Sequence, residues 1–463
     1  MKTETHPSPV AAFSRGALIA VAVFMTALSP AGTARGEEVM GGSDGEAEGG
    51  GSWGALEVVL ANGGPWAEDA GALAEKLGMH SEMEDGVERR DIVYPPVRWK
   101  GTDFRILQRS PRAIMMTSSV ATGRPLGLRV VFGNRGEDLW EIYKGEGVGD
   151  RPDDITEARS RYRKEMQQAI RSIDEDAEAI ASKLTEMLGA PGWAKPRRDI
   201  PTGERRKRWQ GAGLRVELSH SKGTITAIDI SPEDANSADQ SPQARQGAAP
   251  PTGERRGLSS ADMVVRDDDG DVFITGIPEV HQGDKPYCSA ASLERLFRLH
   301  GVEVDQYELG AAVGSGDTQI GSGWRKLIDV TRGLARKNRI SIENLQLVGR
   351  LDRLEKLIDD GTPLMWAQRS TPALTDMFWK LSSDRSNLEK PSRKRERKLG
   401  GDAEAALDAK TTAHACLVVG YNSRTEEIAI SNTWQGKSDL IWIPFEVFEA
   451  ADHGADLVYL KKR

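Results

Sequence analysis

Four residues in the last third of the sequence have the types and order that catalysis by a thiol nucleophile requires. Cys288 opens an amphipathic segment after a turn-like stretch, and His414 opens a buried apolar run. Such a thiol needs an imidazole to take its proton, a donor for the developing oxyanion and a group that orients the imidazole. Asn432 ends the next apolar run, within a hairpin's reach of His414, and Gln282 lies six residues before Cys288.

Each of these residues also has a purely structural interpretation. Cys288 could be a buried structural thiol or half of a disulfide with Cys416, the other cysteine of the chain. His414 could be a core histidine, Asn432 a turn residue and Gln282 a surface loop residue. The nucleophile is the favoured interpretation of Cys288, because the positive end of a helix dipole favours a thiolate.

The neighbouring candidates have more ordinary interpretations. Cys416 lies two residues after His414, so both face one side of a strand, and a small core residue is expected there. Trp434 is expected either to shield the hydrogen bond between the histidine and the asparagine or to belong to the core. His281 and His300 have no predicted role. The sequence has no zinc-ligand spacing and no nucleotide-binding loop, so no metal and no cofactor are expected.

The elements that must position these residues form a helix-rich half followed by a strand-rich half. Apolar residues at helical spacing predict helices, and short apolar runs predict strands. The predicted helices are 288–300, 323–337 and 348–358, and the predicted strands are 272–277, 363–368, 414–420, 428–431 and 440–443. Between the first two strands of the second half lies a long polar segment, 369–412, with a basic run at 393–398. It is predicted to be a solvated loop, with substrate or partner docking as the alternative.

Three short stretches resemble the papain-like cysteine peptidases. They are QGDKPYC at 282–288, HACLVVGY at 414–421 and Asn-Thr-Trp at 432–434. The similarity is greatest to the bacterial branch of peptidases that process bacteriocin leaders at double-glycine sites, and it covers about residues 263–463. It implies an α+β papain-like domain with Cys288, His414, Asn432 and Gln282 as catalytic residues and a peptide or protein as substrate. The family usually has Gly or Trp where Ser289 stands, and the bacterial branch often has Asp in place of Asn432.

The N-terminal part of the chain predicts export. A basic start, an apolar run at 17–28 and a small-residue site ending at Ala34 are typical of a signal peptide, here 1–34. A location outside the cytoplasm, secreted or periplasmic, is therefore expected. The run is too short for a permanent membrane anchor.

Three further regions separate the signal from the papain-like region. Residues 35–54 form a Gly-rich acidic tether, and residues 231–262 have the composition of a disordered linker. Between them, 55–230 is predicted to be a separate small α+β domain. Its predicted elements are a helix at 66–77, strands within 90–116, a strand at 127–132, a long helix at 154–188 and two strands at 207–230 joined by a turn at 221–223. This domain is expected to bind a protein or to regulate the enzyme in cis.

Composition limits the function classes. The net charge of −8 argues against a general nucleic-acid binder, and 38% hydrophobic with 29% charged residues is typical of a soluble globular protein. The predicted function is an exported cysteine hydrolase that cleaves peptide or isopeptide bonds through an acyl-enzyme. The alternatives are an acyltransferase or amidase that uses the same residues and an inactive papain-like binding module.

Overall fold

The computed structural model describes residues 105–118, 125–138, 140, 155–196, 198–211, 213–233, 260–283, 285–314, 323–346, 351–387, 399–407, 412–434, 440–454 and 457–463. The predicted signal peptide, the acidic tether, the helix predicted at 66–77 and the basic run 393–398 lie outside these residues. Most of the predicted linker also lies outside them.

The first region of the fold is an antiparallel sheet beside one long helix. The helix is α1 (Ile155–Leu188). The sheet order is β1-β2-β6-β5-β4-β3. Its strands are β1 (Ala113–Ser118), β2 (Pro125–Asn134), β3 (Gly192–Ala194), β4 (Arg205–Gly211), β5 (Leu214–Ser221) and β6 (Ile225–Pro232).

The number of strands after residue 200 in this region differs from the prediction. The sequence predicted two strands over 207–230, whereas β4, β5 and β6 make three. The extra turn lies at Gly213, whose φ of +74° is in the left-handed region that favours glycine. The predicted turn at 221–223 lies between β5 and β6, where Gly223 has a φ of +59°.

The second region combines helices with a larger sheet, whose main path is β13-β12-β11-β10-β14-β9, with β8 also paired to β11. Its strands are β7 (Val264–Arg266), β8 (Val272–Ile274), β9 (Ile340–Leu345), β10 (Leu364–Ser370), β11 (Thr412–Asn422), β12 (Glu427–Ser431), β13 (Ile441–Pro444) and β14 (Leu457–Lys462). Its helices are α2 (Cys288–Leu299), α3 (Gln306–Val313), α4 (Trp324–Lys337), α5 (Leu351–Asp359), α6 (Pro372–Asn387), α7 (Gly400–Ala406) and α8 (Phe445–Ala451). Mixed helices and antiparallel sheets give the predicted α+β class.

The second sheet buries both of its faces, because side chains alternate along each strand. On β11, Ala415 and Leu417 belong to the same apolar cluster as helix α2. Cys416 and Val418 point to the other face and pack with Trp366 under the helices α5, α6 and α8. Helix α2 therefore lies against the face of β11 opposite to Cys416.

The polar segment 369–412 is not the continuous solvated loop that its composition predicted. It contains helices α6 and α7, and α6 buries Leu374 and Phe378 in the second core. One of its arginines, Arg385, is itself buried and hydrogen-bonds the carboxylates of Asp271 and Glu427. The helix was missed because its polar and charged residues, including the buried Arg385, give it the composition of a loop.

The two regions are in contact in this structure. One apolar cluster contains Met115 and Val131 from the first sheet together with Tyr287, Leu293 and Tyr307 from the helices of the second region. That the two regions are separate folding units stays a prediction, and so do the domain boundaries.

Candidate active site

Cys288 is the first residue of helix α2, as the sequence predicted. The chain enters the helix through a closed turn in which the Lys285 carbonyl accepts from the Tyr287 backbone N–H at 2.8 Å and from Gln282 Nε2 at 2.9 Å. Gly283 in this turn has a φ of +68°, which a residue with a Cβ adopts only under strain. The thiol therefore lies at the positive end of a 12-residue helix.

His414 and Asn432 lie on neighbouring strands and are hydrogen-bonded. His414 is the third residue of β11, and Asn432 directly follows β12. The distance from His414 Nε2 to Asn432 Oδ1 is 2.8 Å. The Thr433 backbone N–H donates to the same oxygen at 2.8 Å, which fixes the orientation of the amide group. Since that oxygen only accepts, Nε2 carries the proton, and Nδ1 is the nitrogen left for the thiol.

Trp434 covers this hydrogen-bonded pair. Its ring stacks on the His414 ring with a centroid separation of 4.7 Å and an interplanar angle of 28°. His414 is 5% exposed, and Asn432 is 9% exposed. Water therefore competes little for the hydrogen bond between them, and the contact agrees with the shielding role considered for Trp434.

Gln282 is buried beside the same strand end. Its Oε1 accepts from Thr433 Oγ1 at 2.7 Å, and its backbone N–H donates to the Thr433 carbonyl at 2.8 Å. An amide nitrogen carries two hydrogens, and the bond to the Lys285 carbonyl uses one of them. Thr433 thus fixes both Asn432 and Gln282, a role that the sequence did not suggest.

The surroundings of Cys288 favour its thiolate. Burial raises the pKa of this thiol, but the hydrogen bond and charge of His414 act in the opposite direction, together with a backbone hydrogen bond from Ala415 and one from the Ser289 side chain. The net result is a pKa below the ordinary cysteine value. Ser289, which departs from the family pattern, therefore supports the thiolate here.

Cys416 has the opposite environment. It is completely buried, and burial raises its pKa far above the ordinary cysteine value. Both cysteines are free thiols in the structure. Cys416 occupies the core position expected for it.

Arg295, which the sequence did not single out, joins the pieces of the site. It lies on α2 two turns after Cys288 and is 3% exposed. Its Nε donates to the Pro278 carbonyl at 2.9 Å, and its Nη1 donates to the Asn432 carbonyl at 3.1 Å. Its Nη2 donates to Ser431 Oγ at 2.7 Å. One guanidinium therefore holds together helix α2, the end of β12 and the loop leading to Gln282.

His281 and His300, for which the sequence predicted no role, have their contacts outside this constellation. His300 Nε2 is 3.1 Å from the Leu460 carbonyl oxygen, and His281 Nε2 is 3.9 Å from the Glu279 carboxylate. Within the described ranges, no group of three or more His, Cys, Asp or Glu side chains is placed to hold a metal ion. In the same part of the chain, no helix has the length and apolarity to cross a bilayer.

A cysteine of lowered pKa at a helix start, beside a histidine that is hydrogen-bonded to an asparagine, is the arrangement typical of papain-like cysteine peptidase domains. The comparison with protein families agrees. The model of the Peptidase_C39 like family matches residues 274–453, which supports the C39 branch of the papain-like superfamily for this segment. The resemblance drawn from the three sequence motifs is thereby confirmed for this segment. No curated protein matches the chain.

Proposed function

We propose that this protein is an exported cysteine hydrolase that cleaves peptide or isopeptide bonds. The proposal rests on a hydrogen-bonded series that begins at Cys288, the first residue of helix α2. The series continues through His414 to Asn432. The match to the Peptidase_C39 like family supports a cysteine peptidase. The buried Gln282 amide on the same strand end supports a site built for a developing negative charge.

The chemistry follows from the positions of these groups. His414 Nδ1 takes the proton of the Cys288 thiol, and the thiolate attacks the carbonyl carbon of the scissile bond. The Gln282 side chain and the Cys288 backbone N–H stabilise the oxyanion. The imidazolium returns the proton to the leaving amine, so that an acyl-enzyme forms. Water then attacks the thioester with His414 as base, which releases the acid and the free thiol.

The role of Asn432 in this scheme is to orient the imidazole. Its oxygen accepts from Nε2, which keeps the ring in the tautomer whose Nδ1 faces the thiol. It also favours the imidazolium that forms in each half-reaction. Trp434 strengthens that contact by excluding water from it.

The matched pair of cysteines gives a direct test. Wild-type protein, Cys288→Ala and Cys416→Ala are treated with iodoacetamide near pH ~6, and modified peptides are identified by mass spectrometry. The same proteins are incubated with a peptide library, and cleavage products are sequenced. We expect labelling and hydrolysis in wild type and in Cys416→Ala, and neither in Cys288→Ala. Equal labelling of both thiols, or hydrolysis by Cys288→Ala, would contradict the proposal.

Two other functions give different results in the same experiment. An inactive binding module would label at Cys288 only at alkaline pH and would cleave no peptide. An acyltransferase would convert the acyl-enzyme to an amide when an amine acceptor such as glycinamide is added. Hydrolysis products that persist in excess glycinamide support the hydrolase.

Export is proposed on the N-terminal pattern of charge and apolar residues at 1–34. It is tested by N-terminal sequencing of the protein recovered from the medium and from the cell fractions. A mature chain that begins after Ala34 outside the cytoplasm is the expected result. Intact residues 1–34 on a cytosolic protein would contradict it.

A further inference from the structure

The first sheet is apolar on both of its faces. Along β1, Ile114 and Met116 belong to the cluster that packs on helix α1. The alternate residues Ala113 and Met115 belong to the cluster that contains the helices of the papain-like domain. A sheet that serves only its own domain needs one apolar face. The second face of this sheet is therefore a docking surface for the helical half of the papain-like domain.

Charged groups fix the register of that contact. Arg129 on β2 forms ion pairs through Nε with Asp305 Oδ2 at 2.6 Å and through Nη2 with Glu308 Oε1 at 3.1 Å. Its Nη1 is 2.9 Å from Asp229 Oδ1 on the neighbouring strand. Asp305 is the N-cap of helix α3 and accepts from the Glu308 backbone N–H. These groups are mostly buried, so the sheet can bind α3 in few orientations.

The contact reaches the residue directly before the nucleophile. Tyr287 is completely buried, and its hydroxyl donates to Asn134 Oδ1 at the end of β2 at 2.6 Å. Asn134 Nδ2 donates in turn to the Tyr307 carbonyl at 3.3 Å. On the other side, a Cβ added at Gly310 of α3 would lie 2.8 to 2.9 Å from the Tyr287 ring. Tyr287 is thus held between the first sheet and α3.

We infer that the first sheet is part of the active site, because Asn134 positions the nucleophile through Tyr287. Tyr287 is the N-cap of α2 and Cys288 is its first residue, so the place of the Tyr287 ring sets where the helix begins and where the thiol lies relative to His414. Asn134 and Tyr287 are positioning residues, and residues 105–233 act on the enzyme in cis. This inference rests on the proposed function, since it takes Cys288 as the nucleophile.

The test uses the full-length chain and breaks the bond between Tyr287 and Asn134 from either side. Tyr287→Phe deletes the hydroxyl alone, whereas Asn134→Leu deletes its acceptor at similar volume and also removes the bonds of the amide to Tyr307 and Glu137. For each variant, the rate of Cys288 alkylation is measured from pH 5 to 10, and kcat and KM are measured on a cleaved peptide. We expect the apparent pKa of the thiol to rise and kcat to fall about two- to tenfold with KM unchanged, as for loss of one hydrogen bond. The double variant should be no worse than Asn134→Leu alone, because the bond between the two side chains is already lost there.

Val216→Ala is the matched control. Val216 is a buried residue of the same sheet, but it faces α1 and belongs to the other cluster. Its truncation should lower the melting temperature and leave the alkylation profile and kcat of the folded protein unchanged.

The outcomes separate the inference from the proposed function. If Tyr287→Phe and Asn134→Leu lower the melting temperature but keep the wild-type alkylation profile and kcat, the inference is wrong and the proposed function stands. If wild-type Cys288 has the reactivity of an ordinary thiol and no peptide is cleaved, the proposed function fails, and the inference fails with it.

Discussion

Replacement of Asn432 by alanine tests how much the imidazole depends on its partner. In the wild type, Asn432 Oδ1 accepts from His414 Nε2 at 2.8 Å in a buried position under Trp434. The oxygen favours the imidazolium, and the imidazolium favours the Cys288 thiolate. Asn432→Ala removes the oxygen, whereas the thiol, the imidazole and the covering ring all stay. We therefore expect a folded protein with a weaker thiolate–imidazolium pair.

The magnitude follows from the kind of bond that is lost. A hydrogen bond to a charged group contributes about 1.5–3 kcal/mol, and one pKa unit corresponds to about 1.4 kcal/mol. The apparent pKa of Cys288 should rise by about one to two units. The same free energy in the transition state corresponds to a loss of about ten- to 150-fold in kcat.

The assay is the rate of iodoacetamide labelling of Cys288 as a function of pH, together with kcat on a cleaved peptide. Asn422→Ala is the matched control, because Asn422 is also a buried, hydrogen-bonded asparagine at a strand end, and it binds Asp271 instead of the histidine. The control should lose stability and keep the wild-type labelling profile. An Asn432→Ala variant with an unchanged profile and kcat would refute the assigned role of the asparagine.

Three further results are expected. Because the folded pKa of Cys288 lies below its ordinary value of 9.0, its thiolate adds stability that is fully present above pH ~9 and is lost as pH falls through the folded pKa. The free energy of unfolding is compared between Cys416→Ala and the double variant that also carries Cys288→Ser. The difference should grow from neutral pH to pH ~9, and a difference that does not depend on pH would contradict the lowered pKa of Cys288. Arg295→Met should leave buried carbonyl groups without donors, at a cost of ~1–3 kcal/mol per unsatisfied group. We expect a lower melting temperature and a kcat reduced more than tenfold, and an unchanged kcat would argue against the joining role of Arg295. Gly420→Ala places a Cβ 2.7 Å from the Val272 carbonyl oxygen and should lower the free energy of urea unfolding by ~1–3 kcal/mol, with an unchanged labelling profile. Wild-type stability would show that the two strands can move apart without cost.

The sequence predicted the candidate site better than it predicted the fold around it. Cys288, His414, Asn432 and Gln282 could be found because their side chains have distinctive chemistry and lie at element boundaries that local patterns reveal. Arg295 could not be found in this way. It lies on an amphipathic helix where an arginine is expected to face water, and its partners are backbone carbonyls and one serine hydroxyl, which composition does not reveal.

The missed elements have a similar cause. Strands β9 and β14 pair with each other and include charged residues, so their apolar content is low for buried strands. Helix α6 was hidden by its polar residues. The second apolar face of the first sheet could not be predicted either, because Ala113 and Met115 share their cluster with helices that lie far along the chain.

The bond between Thr433 and Gln282 has a consequence for when the thiol becomes reactive. The two residues are 151 positions apart, and Arg295 and Ser431 are 136 apart. A chain in which these distant segments have not yet met contains Cys288 as an ordinary thiol, without an imidazole beside it. Reactivity at neutral pH is thus acquired only when these long-range contacts have formed. Thiol labelling during refolding would therefore measure the completion of the tertiary fold. Until that point, Cys288 of a newly made chain has only the reactivity of an ordinary thiol.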